Sequence, residues 1–173
     1  MAVQLIFCVE TNKKADTDSI YISELVNYFY VLNNQIKISK VYMGTKSKYC
    51  SKEIIKEIEK KTKAFVIGET KVIYYIDTDE YEKNVEHQTE LNKISQFCKE
   101  NGYDLVWFCH DVEEVFLDNK IPDSQKVQEA GAFRRKKGIQ EIPLDKLASS
   151  VMRIHTSNIM QILDKYLERK MTK

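Results

Sequence analysis

The sequence predicts an α/β fold: a parallel sheet of about four strands with helices on both faces and a further helix at the C-terminus. Two short apolar runs rich in β-branched and aromatic residues, at 3–9 and 72–76, are typical of strands buried on both faces. Amphipathic helical patterns separate the predicted strands, and connections of this kind join parallel neighbours. The length of 173 residues suits a single domain, with its core over about 3–117 and a C-terminal extension over 118–173.

The first half of the chain alternates strand and helix patterns. The first apolar run is followed by a helical stripe of apolar residues, which Asp16 or Asp18 is expected to cap. The alternative for these two acids is a role as ligands, because they lie close to Glu10 in the sequence. Ser51 precedes a second, charged helix, and Gly68 marks a break before the run at 72–76. The predicted elements are a strand over 3–9, a helix that ends near Asn33-Asn34, a strand within 36–43, a helix after Ser51, and a strand that ends on Asp77.

The second half of the chain begins regularly and then loosens. A helical pattern over about 85–100 stops at Asn101-Gly102, because glycine readily takes the left-handed conformation that follows a helix. A fourth strand follows over 105–109, and beyond Asp111 the pattern is weak until the last segment. There, apolar positions at helical spacing predict a closing helix that packs on the core. These positions are Ile159, Ile162, Leu163, Tyr166 and Leu167.

Composition and charge exclude several classes of protein. With 43% apolar and 31% charged residues the chain is globular, and a net charge of +1 excludes nucleic-acid binding by bulk charge. The first residues contain no basic segment before the apolar run, so we expect no signal peptide, no membrane span and a cytoplasmic location. The cysteines lack CxxC spacing and are expected to be reduced core residues, with a reactive thiol beside His110 as the alternative for the last one. They are Cys8, Cys50, Cys98 and Cys109.

Acidic residues follow the predicted strands at their carboxyl ends. They are Glu10 after the first strand, Asp77 and Asp79 after the third, and Asp111 after the fourth, with Glu113 and Glu114 one turn further on. Ligands of parallel α/β sheets bind beyond these strand ends, and clustered carboxylates repel one another unless a hard cation binds between them. In an extended segment, the spacing of Asp77 and Asp79 points both side chains to the same side. We therefore expect an Mg²⁺ or Mn²⁺ site, while the alternative is that these acids form turns and helix caps.

One run of four consecutive cations stands out within the C-terminal extension. It follows the aromatic residue Phe133 and consists of Arg134, Arg135, Lys136 and Lys137. Such a run suits contacts with the phosphates and exposed bases of DNA or RNA, and the alternative is a solvated surface. Lys46, Lys48 and Lys52, near the end of the second strand, either extend this basic track or begin a helix.

The order of these motifs resembles a known family. The segments that carry the resemblance are Phe7-Cys8-Val9-Glu10, Tyr74-Tyr75-Ile76-Asp77-Thr78-Asp79, and Tyr103-Asp104-Leu105-Val106-Trp107-Phe108 leading to Val112-Glu113-Glu114-Val115-Phe116. A first strand ending in Glu and a later strand ending in Asp-x-Asp resemble the Toprim catalytic fold of topoisomerases, primases and overcoming-lysogenization-defect nucleases. Within that group the chain is most similar to RloB-like proteins, which are found near restriction and phage-defence genes.

The resemblance implies roles for individual residues. Glu10 would be the general acid or base, Asp77 and Asp79 would hold Mg²⁺, and Glu113 or Glu114 would be an additional acid. The family usually places Gly after its Glu, whereas this chain has Thr11, whose hydroxyl could donate to a phosphate.

Three functions are consistent with the sequence. The first is an Mg²⁺-dependent nuclease or related phosphoryl-transfer enzyme, with phage defence as its expected setting. The second is a non-catalytic Toprim-like module that binds nucleic acid or a protein partner of a defence system. The third is a receiver-like or flavodoxin-like domain with Asp77 as phosphoacceptor, which is disfavoured because the fourth strand does not end in the Lys, Ser or Thr that such a site needs.

Overall fold

A computed structural model describes residues 1–171 and contains one mixed, mostly parallel sheet. Its strands are β1 (Ala2–Val9), β2 (Ile36–Tyr42), β3 (Gly68–Asp77), β4 (Asp104–Cys109) and β5 (Thr156–Ser157). The order across the sheet is β2-β1-β3-β4-β5, and the first four strands are parallel. The short strand β5 pairs with β4 in the antiparallel sense. The predicted α/β class is confirmed, while the sheet has five strands and one antiparallel edge rather than about four parallel strands.

Helices cover both faces of this sheet. They are α1 (Asp18–Phe29), α2 (Lys52–Lys63), α3 (Val85–Asn101), α4 (Val112–Leu117), α5 (Lys126–Arg135), α6 (Leu144–Leu147) and α7 (Ile159–Leu163). Helices α1, α4, α5 and α7 pack on the face to which Phe7 points, and α2 and α3 pack on the face to which Cys8 points. Alternate residues of β1 therefore enter different cores, which explains why its sequence is apolar without a break.

Two of the predicted element boundaries are confirmed, and a third is wrong. Ser51 caps α2 by accepting a hydrogen bond from the Ile54 N–H at 3.4 Å, and α3 ends at Gly102 in the left-handed conformation. Gly68 is not a break, because it is the first residue of β3 and pairs with Ala2 of β1. A Cβ atom at this position would lie 1.8 Å from the Ala2 carbonyl oxygen, so the close approach of the two strands requires glycine.

The predicted caps of α1 are wrong. Thr17 occupies the cap position and makes no side-chain capping hydrogen bond. The Asp16 carboxylate instead accepts hydrogen bonds from the side chains of Thr11 (3.0 Å), Lys40 (3.0 Å) and Tyr42 (2.9 Å). Asp18 is the first residue of the helix, and its side chain is directed toward the carboxyl ends of the strands, as described below.

The closing helix is much shorter than predicted. Helix α7 ends at Leu163, and the chain then turns so that Arg169 forms a β-bridge with Tyr30 at the end of α1. Leu163 and Leu167 are nevertheless buried, whereas Ile162 is only partly buried. The apolar residues of this segment thus enter the core as predicted, but through a helix followed by turns.

Two further expectations concern the burial of the cysteines and the presence of a membrane span. Cys8, Cys98 and Cys109 are free and buried, as predicted, whereas Cys50 is exposed and is not a core residue. In residues 1–171, no helix combines the length and the apolar character needed to cross a membrane.

Candidate functional site

The carboxyl ends of β1, β3 and β4 bring acidic side chains together. The carboxylate cluster consists of Glu10, Asp18, Asp77, Asp79, Asp111 and Glu113. Glu10 directly follows β1 and Asp77 is the last residue of the neighbouring strand β3, and Glu10 Oε1 accepts a hydrogen bond from the Asp77 N–H at 2.7 Å. This bond holds the Glu10 side chain across the end of β3. Parallel pairing of β1 with β3 brings these two residues together, as the sequence predicts.

Helix α4 begins directly beside these two residues. Asp77 Oδ1 accepts a hydrogen bond from the Val112 N–H at 3.1 Å, and Asp111 Oδ1 accepts one from the Glu114 N–H at 2.8 Å. Asp111 is therefore the cap residue of α4, which is the alternative role that the sequence allowed for a strand-end acid. Asp77 is fixed by the same short helix, so its carboxylate has one defined orientation.

Asp79 does not follow the predicted alternation with Asp77. The chain leaves β3 after Asp77, and Asp79 has a positive φ of 50°, a conformation that Asp tolerates better than most residues. Its carboxylate forms an ion pair with Lys46, which also donates a hydrogen bond to the Asp77 carbonyl oxygen at 2.8 Å. The side chain of Asp77 contacts α4 and that of Asp79 contacts Lys46, so the two carboxylates have different partners because the segment is not extended.

Glu113 is the most completely buried acid of the cluster. Its residue is 0% exposed, and neither carboxylate oxygen has a hydrogen-bond partner. The Lys126 ammonium group at the start of α5 lies 3.3 Å from Glu113 Oε2 and forms an ion pair without hydrogen-bond geometry. Such an arrangement is costly for an ionised carboxylate, because burial removes the water that would otherwise solvate it.

The cluster changes the proton affinity of its members. Burial raises the pKa of Glu10 to about 8, even though Lys46 and the hydrogen bond from Asp77 oppose the shift. Burial and then the charge of Glu113 raise the pKa of Asp18 to about 7. The pKa of Asp77 is raised well above its ordinary value, first by burial and then by Glu10 and Asp18. Carboxyl groups with such pKa values hold protons near neutral pH, unless a cation stabilises the ionised form.

Glu114 lies beside two histidines at the edge of the cluster. Its Oε2 atom is 3.4 Å from His110 Nδ1 and 3.7 Å from His155 Nε2, and His110 Nε2 lies 3.1 Å from both carboxylate oxygens of Glu82. A cavity of about 290 Å³ opens here, and it is lined by Asp79, Glu80, His87, His110, Asp111, Glu114 and Lys120. The cavity gives solvent access to Asp79 and Asp111 of the cluster.

One group of potential metal-ligand atoms that the structure describes lies at the carboxyl end of β4, and it includes no residue of the carboxylate cluster. Within the part of the chain that the structure describes, Glu82, Cys109 and His110 place one potential ligand atom each within 4.8 Å of the others. This mixed set differs from the all-oxygen carboxylate cluster, because thiolate and imidazole suit zinc better than magnesium. Burial raises the pKa of the Cys109 thiol to about 11, so the thiol is protonated in this structure at neutral pH.

The remaining predicted site residues lie outside the cluster. The Thr11 hydroxyl donates to Asp16 and organises the loop after β1. Phe133 is buried in the core at 5% exposure, so its ring is not available for base stacking. The cations that follow are exposed at the end of α5 opposite Lys126, and Arg134 pairs with Glu24 at 2.9 Å. These cations are Arg134, Arg135, Lys136 and Lys137.

Three residues of the site escaped the sequence analysis or were assigned another role. Asp18 was expected to cap a helix, Lys46 to belong to a basic track, and Lys126 had no assigned role. The proximity of Asp18 to Glu10 in the sequence indicated its alternative role as a ligand. Comparisons of the chain with protein-family models, curated proteins and solved structures give no match.

Proposed function

We propose that the carboxylate cluster binds Mg²⁺ or Mn²⁺ and that the protein is a metal-dependent phosphodiesterase of the Toprim type, similar to RloB-like nucleases. The observation that carries the proposal is the burial of Glu113 without hydrogen-bond partners among other acids. Six carboxyl groups lie around the ends of β1, β3 and β4, and two lysines pair with two of them, Lys46 with Asp79 and Lys126 with Glu113. A hard divalent cation with oxygen ligands would relieve that excess of acidic groups.

Different residues of the carboxylate cluster would bind the cation and transfer the proton. Asp77 and Asp79 would hold the cation, and Asp111 would be an additional carboxylate beside it. When bound, the cation neutralises phosphate charge and stabilises the leaving oxygen. Glu10 has a pKa of about 8 and a fixed orientation on the Asp77 N–H, so it can accept and return a proton near neutral pH. The cavity beside Asp79 and Lys120 would admit the phosphodiester.

Nucleic acid is the proposed substrate class, and phage defence in the cytoplasm is the proposed setting. The exposed cations at the end of α5 support a DNA or RNA strand as ligand, since such side chains neutralise backbone phosphates. Lys126, at the start of α5, lies beside the carboxylate cluster, and these cations lie at the other end of the same helix. A nucleic-acid strand that contacts both would therefore run along the length of α5. A ten-residue helix spans about 15 Å, which corresponds to a few nucleotides.

One observation favours the alternative of a non-catalytic binding module. The Thr11 hydroxyl, which stands where the Toprim family usually has Gly, donates to Asp16 rather than toward the strand ends. In that alternative the same surfaces would bind nucleic acid or a protein partner of a defence system, and no bond would be cut.

A cleavage assay separates the two functions. Wild type should cut at least one of single-stranded DNA, double-stranded DNA, RNA and a generic phosphodiester in the presence of Mg²⁺ or Mn²⁺. Glu10→Gln should lower the rate by about 10² to 10⁴-fold while it retains metal binding. The matched control is Glu24→Gln, which makes the same change in an acid that pairs with Arg134 away from the cluster. Strand binding without cleavage by wild type would support the module, and equal rates for Glu10→Gln and wild type would exclude this active site.

A further inference from the structure

Lys46 occupies an unusual position for a lysine. It lies in a single turn of 3-10 helix after β2, Lys46–Lys48, and only 8% of the residue is exposed. Its ammonium group contacts the Asp79 carboxylate and the Asp77 carbonyl oxygen. The ammonium group therefore already contacts one of the two carboxylates that would hold a metal ion.

The backbone around Lys46 is held from two sides. The Met43 N–H donates to the Val9 carbonyl oxygen at 2.9 Å, and the Gly44 N–H donates to the Thr11 carbonyl oxygen at 3.2 Å. Beyond the turn, the Tyr74 hydroxyl of β3 donates to the Tyr49 carbonyl oxygen at 2.9 Å. The turn is thus tied to β1 and β3, and the flexible part of this residue is its long side chain.

The charges around Lys46 keep its ammonium group in place. A buried ammonium group is stable only when acceptors surround it, and here the acceptors are oxygens of the kind that also bind hard cations. The ammonium group and a divalent ion would therefore compete for Asp79.

We propose that Lys46 is a tethered counter-ion, which neutralises Asp79 in the metal-free protein and must move away before a divalent cation binds there. This inference rests on the proposed metal site. The side chain of Lys46 then sets the affinity for the metal, because every binding event displaces one ammonium group from Asp79. Lys126 neutralises the opposite side of the cluster at Glu113 and does not contact Asp79.

Mn²⁺ titrations of the metal-free protein test the proposal. Lys46→Met should bind Mn²⁺ about tenfold more tightly than wild type by calorimetry, since the competing cation is gone. Its melting temperature without metal should fall and its metal-induced increase should be larger. Lys46→Gln retains a donor for the Asp77 carbonyl oxygen without the charge, and it should show the same gain in affinity if the Met variant fails to fold.

Two control variants distinguish a specific competitor from a general effect of charge. Lys48→Met removes the same charge from an exposed position of the same turn and should leave the Mn²⁺ affinity within about twofold of wild type. Lys126→Met removes a cation from the Glu113 side and should have a smaller effect than Lys46→Met. An equal gain for Lys126→Met and Lys46→Met would overturn the proposal, because bulk charge would then explain both.

The position of the ammonium group can also be followed directly. In protein with ¹⁵N-labelled lysine, the ammonium signal that Lys46→Gln removes should shift on addition of Mg²⁺ toward the position of exposed lysines. An unchanged signal at saturating Mg²⁺, or unchanged affinity in both Lys46 variants, would overturn the tethered counter-ion while the metal site stands. If neither wild type nor the variants bind Mn²⁺ or Mg²⁺, the proposed function and this inference both fail.

Discussion

The carboxylate cluster and the carboxylate of Asp164 show two opposite ways of placing acids in this fold. Asp164 follows α7 and accepts hydrogen bonds from the Tyr30 hydroxyl (2.9 Å) and from Nε and Nη2 of Arg169 (2.8 and 2.6 Å). Although partial burial acts against it, these donors lower the pKa of Asp164. Glu113 is fully buried, has no hydrogen bond, and its pKa is raised by burial although Lys126 lies beside it.

The difference between the two regions indicates where stability and function lie. A carboxylate with a lowered pKa stabilises the folded chain, whereas a group of carboxyls with raised pKa values destabilises it when they ionise. Folded proteins retain such costly groups mainly at functional sites. By this criterion the C-terminal segment stabilises the structure, and the strand ends of β1, β3 and β4 are the proposed functional region.

The largest effect is expected in the closing segment. Leu163→Asp places a carboxylate at a fully buried position in α7 and should lower the free energy of unfolding by about 3 to 5 kcal/mol, measured by urea denaturation. Ile162→Asp is the matched control, because the neighbouring residue is only partly buried and tolerates a polar group better. Equal losses for the two variants would contradict the described packing of α7.

The comparison also predicts how pH acts on the metal-free protein. The pKa values of Glu10 and Asp18, about 8 and about 7, lie above their ordinary values of 4.5 and 3.8. The folded state thus holds these protons more tightly than the unfolded state, and their contribution is complete below about pH 4 and lost as the pH rises through 7 to 8. The free energy of unfolding should therefore fall by a few kcal/mol between pH 5 and 8.

Addition of Mn²⁺ is the control for the predicted pH dependence of stability. If the proposed metal site exists, millimolar Mn²⁺ should raise the melting temperature more at pH 8 than at pH 5, because a divalent cation binds ionised carboxylates. The double variant Asp77→Asn/Asp79→Asn should lose the metal effect. If the free energy of unfolding of the metal-free protein did not change with pH, the pKa values of the strand-end acids would not be raised in the folded state.

Asp164 should behave in the opposite sense. Asp164→Asn should lower the free energy of unfolding by about 1 to 2 kcal/mol at pH 7, since the charge-assisted hydrogen bonds that Asp164 accepts from Arg169 and Tyr30 are weakened, while the side chains of Asp164 and Arg169 are partly exposed. Because the folded pKa of Asp164 is lowered from 3.8, its contribution is present above that value and is lost as the pH falls below it. The difference between Asp164→Asn and wild type should therefore shrink in acid, while exposed Asp145→Asn should change little at any pH.

Sequence patterns were sufficient for most of the sheet and for the strand-end acids. Continuous apolar runs predict buried strands, and the parallel order of β1, β3 and β4 then brings Glu10, Asp77 and Asp111 to one edge. The lengths of α7 and the closing turns could not be predicted, because the contact of Asp164 with Tyr30 joins residues 134 positions apart. Local periodicity contains no information on such a contact.

The partners of the site acids depended on similar long-range packing. Aspartate is a residue type that commonly caps helices, so the sequence alone favours that role for Asp18. Only the packing of α1 beside α4 brings Asp18 near Glu113. The position of Lys46 depends on a single turn of 3-10 helix, which is too short to produce a periodic pattern. The direction of Asp79 depends on its positive φ, so the rule for extended strands did not apply.

The smallest predicted effect concerns Glu113 and tests the comparison most directly. Glu113→Gln keeps the shape of the side chain and removes a charge that its surroundings disfavour, so the metal-free protein should become more stable by about 1 kcal/mol at pH 8. The sign is opposite to that expected for Asp164→Asn, and thermal denaturation of both variants in one buffer measures it. Glu24→Gln, a change of the same kind in the pair with Arg134, should alter stability by less than about 0.5 kcal/mol.

The metal response of Glu113→Gln completes the test. If Glu113 contributes to the cation site, the variant should gain less stability from Mn²⁺ than wild type, although it starts from a higher melting temperature. A variant that is less stable than wild type at pH 8 would show that the ion pair with Lys126 outweighs the burial of the carboxylate. Glu113 would then stabilise the fold as Asp164 does, and the excess of acids at the strand ends would no longer distinguish them as the functional region.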